Sequence, residues 1–293
     1  MDNFSLISAF IVFILVLASG ILFYLKTKKG GAETDNNVLR LRSWWLIALI
    51  VVGSLSFEFY GAVFLGSLIV TLSLYELLKM YRFQSKVQLA FYTILLVCLV
   101  LSTFIFSLDI KLLLGAFLLS FGSYVVLRKK RLSSVLSLMF FLASSFLLLP
   151  VLFRTYPELE LQALLLTLIL VSSLNDVFQY ICGKSFGKRA LAPRVSPSKT
   201  WEGAVGGVFL SSVLSMVLWP ELMKISYPTA FALGAAIGIA GILGDLNISQ
   251  LKRSLDCKDS GSMIPGHGGI LDRIDSLSFT LPVFSTFILG VHL

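Results

Sequence analysis

Phe4–Lys29 reads FSLISAFIVFILVLASGILFYLKTKK. Residues 4–25 carry no charge, and Lys26, Lys28 and Lys29 close the run. An uncharged apolar helix of about 20 residues matches the thickness of a bilayer's hydrocarbon core. A cleaved leader has its cations ahead of the apolar core, whereas here they follow it, so the run is expected to remain as a first membrane span.

The same pattern recurs along the chain. Apolar runs follow at about 44–57, 59–78, 87–107, 110–127, 133–153, 161–182, 203–220, 228–246 and 277–293. Over 293 residues the composition is 57% hydrophobic, with a mean hydropathy of +0.90. Soluble domains are nearer half apolar and lack such runs. The expectation is one all-α, polytopic transmembrane bundle of eight to ten spans; the pair at 44–78 reads either as two tilted spans or as a re-entrant hairpin. Residues 1–150 read as N-terminal transmembrane helices and 151–293 as a C-terminal catalytic region carrying two polar loops.

Charge sorts the connections. Loops 26–43, 79–86, 128–132, 183–202 and 247–276 hold 21 of the 24 Lys and Arg residues, leaving Lys111, Arg154 and Lys224 for the other side. The cation-rich side faces the cytoplasm in the positive-inside pattern. The net charge of +8 is therefore assigned to an anionic leaflet and not to a nucleic acid. Trp44, Trp45 and Trp219 are expected at the lipid interface. Three widely spaced cysteines, Cys98, Cys182 and Cys257, predict neither a disulfide framework nor a zinc site.

One polar stretch stands apart. Gly244–Ser276 reads GDLNISQLKRSLDCKDSGSMIPGHGGILDRIDS. It gathers Asp245, Asp256, Asp259, Asp272 and Asp275 with Lys252, Arg253, Lys258, Arg273 and His267. A charged loop between spans is commonly a solvated connector. Here the carboxylates lie among cations and a glycine-rich turn, a combination suited to holding a divalent metal beside a phosphate. Gly266, Gly268 and Gly269 can turn backbone N–H groups toward an anion. Asp272 and Asp275, three apart, would share a helix face, with Asp245 closing a metal site from another helix.

A second stretch, residues 175–203, reads NDVFQYICGKSFGKRALAPRVSPSKTWEG. Asp176 falls inside an apolar run, where an ionisable group is costly and marks function unless it escapes to the interface or pairs with a lysine. Lys184, Lys188, Ser196 and Lys199, set among glycines, suit a polyanion or, equally, a lipid-headgroup patch. Thr200 or Ser198 is placed to cap the next helix.

Both stretches carry a resemblance. Ser249-x-Leu251-Lys252-Arg253, Lys258-Asp259-x-Gly261 and Pro265-x-His267-Gly268-Gly269-Ile270-x-Asp272-Arg273-Ile274-Asp275 resemble the signature of the phosphatidate cytidylyltransferase (CDP-diacylglycerol synthase) family. Phe186-Gly187-Lys188, Leu191-Ala192-Pro193 and Ser196-Pro197-x-Lys199-Thr200-x-Glu202-Gly203 resemble a second stretch of that family. The likeness covers roughly the last 130 residues. It departs at Val177-Phe178-Gln179, where the family has a small Ser/Thr-Gly-Ala run, and at Ile248, where it has a glutamate.

The resemblance implies transfer of CMP from CTP to phosphatidate, giving CDP-diacylglycerol and pyrophosphate, with Mg²⁺ and room for a second cation. It implies an enzyme of the inner membrane with its site facing the cytoplasm, membrane lipids around it, and a possible homodimer. Asp245 and Asp272 then read as metal ligands, with Asp275 and Asp259 as further ligands or their supports. Lys252, Arg253 and Lys258 read as phosphate clamps, with Arg273 joining them or pairing with a carboxylate. Asp176, Lys184, Lys188, Ser196, Lys199, Gly268 and Gly269 read as substrate-binding, and His267 either moves a proton or shapes the turn. Alternatives are a cytidylyltransferase for another lipid phosphate, a CTP-dependent lipid kinase, an inactive lipid-binding paralogue and a transporter.

Overall fold

The structure, a computed structural model, describes residues 2–29, 32–81, 109–127 and 131–292. The described elements are α1 (Asn3–Lys29), α2 (Ala32–Leu55), α3 (Glu58–Met80), α4 (Ile110–Leu127), α5 (Arg131–Phe146), α6 (Leu148–Thr155), α7 (Leu161–Phe186), β1 (Ala190–Ala192), β2 (Ser196–Thr200), α8 (Trp201–Met223), α9 (Tyr227–Ser254), α10 (Leu271–Ile274) and α11 (Leu277–Val291). The expected run at 87–107 and Cys98 lie outside the described residues.

Among the described residues, eight helical segments are long and apolar enough to cross a membrane, and α4 is a shorter apolar helix. The pair at 44–78 is two full-length helices, so the re-entrant alternative is set aside. The expected polar loop 26–43 is mostly helical, because α1 extends to Lys29 and α2 begins at Ala32. Phe23, Leu49 and Leu119 are each more than 70% exposed, and many apolar neighbours are also bare. Water does not tolerate so continuous an apolar surface, whereas lipid does. The protein is an integral membrane protein.

Behind that surface lies a single core. Phe117, Phe121, Phe141 and Phe279 stack at centroid distances of 5.0–5.7 Å. Trp219 is a correction to the interfacial expectation: it is fully buried and its ring packs on Phe284 at 5.1 Å. Trp45 instead donates to Ser19 Oγ at 3.2 Å, joining α2 to α1.

The helices that position the site, α7, α8 and α9, pack in series. Small residues let their backbones approach, and buried polar side chains bond across the gap, as is usual in lipid. Asn175 of α7 donates to Gly238 O of α9 at 3.3 Å and accepts from Ser211 of α8 at 3.1 Å. Helix α8 begins where Thr200 Oγ1 accepts from Gly203 N at 3.1 Å, which selects Thr200 as the cap. Ser226 caps α9, with Pro228 in the first turn where no N–H is needed. The loop between α7 and α8 folds into a two-stranded antiparallel ribbon, pairing Ala190 with Thr200 and Ala192 with Ser196.

Candidate active site

The two polar stretches meet at one end of the bundle. Lys199, on the last strand before α8, forms an ion pair with Asp245 of α9. The same ammonium donates to Gln179 Oε1 at 3.4 Å, and Gln179 Nε2 donates to Asp176 Oδ1 at 3.2 Å. Asp176 Oδ2 accepts from Ser276 Oγ at 3.2 Å, and Asp245 Oδ1 accepts from Ser249 Oγ at 3.0 Å. Asp176 stays exposed despite these neighbours.

Asp245 reaches Asp275 because α9 carries glycine at 244. A Cβ there would collide with the Asp275 carbonyl, so only glycine admits the backbone of residue 275 so close. Asp176, Asp245 and Asp275 lie within electrostatic reach of one another, and Lys252 reaches Asp275.

Asp272 is held separately. Its Oδ1 accepts from Lys252 Nζ at 2.5 Å, and its Oδ2 accepts from Ser260 N at 3.0 Å and Gly269 N at 3.4 Å and lies 3.0 Å from Ser260 Oγ. Asp272 lies in α10, a single turn, and Asp275 follows that turn. The two carboxylates therefore meet different partners, where the three-residue spacing predicted a shared face. Lys252 stands between them. Among the described residues no three His, Cys, Asp or Glu side chains are grouped closely enough to hold a metal as they stand.

The glycine turn docks on α2. Arg40 Nε donates to Gly266 O at 3.0 Å and Ser43 Oγ to Pro265 O at 2.7 Å. Gly266 (φ +73°) and Gly268 (φ +81°) take the left-handed conformation that the turn requires. His267 meets the Trp44 ring edge-on at 5.6 Å. Burial first, then the cations of Arg273 and Arg40, push the His267 imidazole below its ordinary pKa. Cys257 donates to Lys252 O, and burial pushes its thiol up, away from nucleophilic character.

The remaining candidates are more open. Arg253 is exposed and donates to Val195 O and Cys257 O at 3.3 Å each, tying the ribbon to the loop after α9. Lys258, Asp259, Lys188 and Arg273 are exposed, and half-buried Ser196 lies in β2. Lys184 lies 5.8 Å from the centre of the Tyr180 ring. Glu202 accepts from the backbone N–H groups of Lys188 and Arg189, bracing the ribbon.

Four participants escaped the sequence reading. Gln179, noted only as a departure from a pattern, links Asp176 to Lys199. Ser260 and Ser276 carried no signal, since serines are plentiful here. Glu76 did: it is an ionisable residue inside the apolar run 59–78, the property that singled out Asp176. It is 2% exposed, and its Oε2 accepts from Ser260 Oγ and Leu271 N at 3.0 Å each. Ile248 is fully buried in the apolar core.

Fold and site together define a polytopic membrane protein with carboxylates and lysines interleaved at one end of its helices. A sequence profile described as "Cytidylyltransferase family" matches residues 38–290, so the chain belongs to the cytidylyltransferase family. It is 48% identical over 125 residues to a protein of Escherichia coli named "Uncharacterized protein YnbB", covering 43% of this chain and 42% of that one. It is 43% identical over 129 residues to a phosphatidate cytidylyltransferase of Haemophilus influenzae, covering 42% of this chain and 45% of the relative. A phosphatidate cytidylyltransferase of Bacillus subtilis is 44% identical over 118 residues, covering 40% and 44%. The chain thus matches less than half the length of each of these three relatives.

Proposed function

We propose that the protein transfers CMP from CTP to phosphatidate, forming CDP-diacylglycerol and pyrophosphate for phospholipid synthesis. The observation that carries this reading is the meeting of the two motif stretches through Lys199 and Asp245. A phosphate oxygen of the lipid attacks the α-phosphorus of CTP, and the bond to the β-phosphate oxygen breaks. Both reactants are anions, so positioning and charge neutralisation dominate the barrier.

The donor set fits Mg²⁺ chemically. Asp176, Asp245, Asp272 and Asp275 are hard oxygen donors, and Lys199 and Lys252 pair with only Asp245 and Asp272. Asp176 and Asp275 make no ion pair among the described residues, and a cation beside them would offset their charge before an anionic substrate arrives. Asp245, Asp272 and Asp275 are the proposed holders, with Asp259 supporting them. Bound there, Mg²⁺ would act as a Lewis acid on phosphate oxygens, and a second cation is compatible with the same carboxylates.

Lys199, Lys252, Arg253 and Lys258 receive phosphates, with Arg273, Lys184, Lys188 and Ser196 at the periphery. Gly268 and Gly269 bring backbone close to the nucleotide, and neutral His267 shapes the turn. Asp176 and Gln179 orient Lys199. The headgroup enters between helices while the acyl tails stay in lipid. The site faces the cytoplasm of an inner membrane, where CTP is available, and the chain pairs as a homodimer. Residues 151–293 supply the chemistry and residues 1–150 support it.

The test uses purified protein in detergent with phosphatidate, Mg²⁺ and CTP labelled at either the α- or the γ-phosphorus. The lipid takes the α-label and pyrophosphate is released. A lipid labelled from the γ-position would make the protein a kinase, and no labelled lipid from either would remove the reading.

A further inference from the structure

We infer that Glu76 is a positioning residue for the proposed reaction: through Ser260 and Leu271, helix α3 holds the loop that aims Asp272. Glu76 comes from the part of the chain with no motif, 184 residues before Ser260 and 195 before Leu271. Three observations bear on it.

The first is burial. A carboxylate 2% exposed has given up its water, a loss offset only by the groups that it meets, here through Oε2. The groups around it are Ser260, Gly261, Gly269 and Leu271, all in the loop and turn beside Asp272. No lysine or arginine pairs with it among the described residues.

The second is shape. A Cβ at Gly269 would collide with both Glu76 oxygens and with Ser260 Oγ, and one at Gly261 would lie 2.8 Å from Glu76 Oε1. These glycines form a cradle whose contents are the carboxylate itself. The motif glycine at 269 is thus explained by a side chain from α3, in addition to any nucleotide.

The third is the shared hydroxyl. Ser260 Oγ lies 3.0 Å from Glu76 Oε2 and 3.0 Å from Asp272 Oδ2, while Ser260 N donates to Asp272 Oδ2. Leu271 N, which donates to Glu76, opens the single-turn helix that carries Asp272. Glu76 therefore fixes both neighbours of Asp272: the loop that donates to it and the turn that bears it. Removing the carboxylate frees Ser260 and Leu271 together and lets Asp272 swing on Lys252.

This rests on the reading of Asp272 as part of the reacting site, but its first test does not. Amide hydrogen exchange is followed in the full-length protein in detergent for wild type, Glu76→Ala and Glu76→Gln. Loss of the buried acceptor should speed exchange across 258–271 by about tenfold or more in Glu76→Ala, with Glu76→Gln between it and wild type. Exchange within α8 should be unchanged. Equal exchange in all three proteins, or an increase spread evenly over the chain, would overturn the inference. The second test is CMP transfer at saturating CTP. Glu76→Ala lowers kcat by about 100-fold through misplacement of Asp272. In an Asp272→Asn background it lowers kcat no further. Losses that multiply would mean that Glu76 does not act through Asp272. A wild type that transfers nothing while the exchange contrast holds would remove the functional reading and leave Glu76 in its role.

Discussion

Gln179 shows how a site is built from residues that no motif names. It accepts from Lys199 and donates to Asp176, so it sets the angle at which the ammonium meets Asp245. Hydrogen bonds to charged groups contribute about 1.5–3 kcal/mol. Gln179→Ala should therefore lower kcat/KM for CMP transfer by about tenfold or more, measured with saturating phosphatidate; an unchanged value would mean that Lys199 is held without it. His267 gives a prediction in pH. Its folded pKa lies below the ordinary 6.5, so on acidification the unfolded chain binds this proton first. Its contribution is full above that value and falls as pH drops through the window below it. Thermal unfolding in detergent should show an acid-side loss of stability that His267→Gln reduces, and an identical slope in both proteins would contradict the assignment.

At the scale of elements, the ribbon and the start of α8 aim Lys199, and Thr200 fixes where that helix begins. Thr200→Ala removes the cap and should cost about 1 kcal/mol, read as a lower midpoint of thermal unfolding. The apolar runs marked the spans well, because lipid demands unbroken helices of a certain length and leaves little else for a sequence to encode. Their ends were harder to read. Ala32–Arg42 is polar yet helical, since a helix that leaves the bilayer meets no boundary in its own hydrogen bonding. The short strands were not legible either: Ser196–Thr200 contains a proline and no apolar alternation, and its pairing comes from the tertiary setting. The motif residues of both polar stretches could be listed from sequence, but not their partners. The pairing of Lys199 with Asp245 depends on how α9 packs against α8, and that of Lys252 with Asp272 on how the loop after α9 folds back on it. Trp219 departs from its interfacial expectation for a related reason: being near a span end says nothing about which way a ring faces.

For the whole molecule, the positive-inside arrangement places both polar stretches on one side of the membrane, and the contacts between them require the same. Cysteine accessibility tests the orientation. In a background lacking the three native cysteines, Glu221→Cys should react with an impermeant maleimide in intact cells, and Ser198→Cys only after permeabilisation. The reverse pattern would turn the site outward. The central claim is that one site is assembled from two segments distant in the chain. It is tested most directly by a double-mutant cycle on CMP transfer from CTP to phosphatidate, using Lys199→Met, Asp245→Asn and the two combined. The account predicts that each single change lowers kcat by at least about 100-fold and that the combination loses little more than the worse of the two. Losses that multiply, or a single variant with wild-type activity, would contradict it.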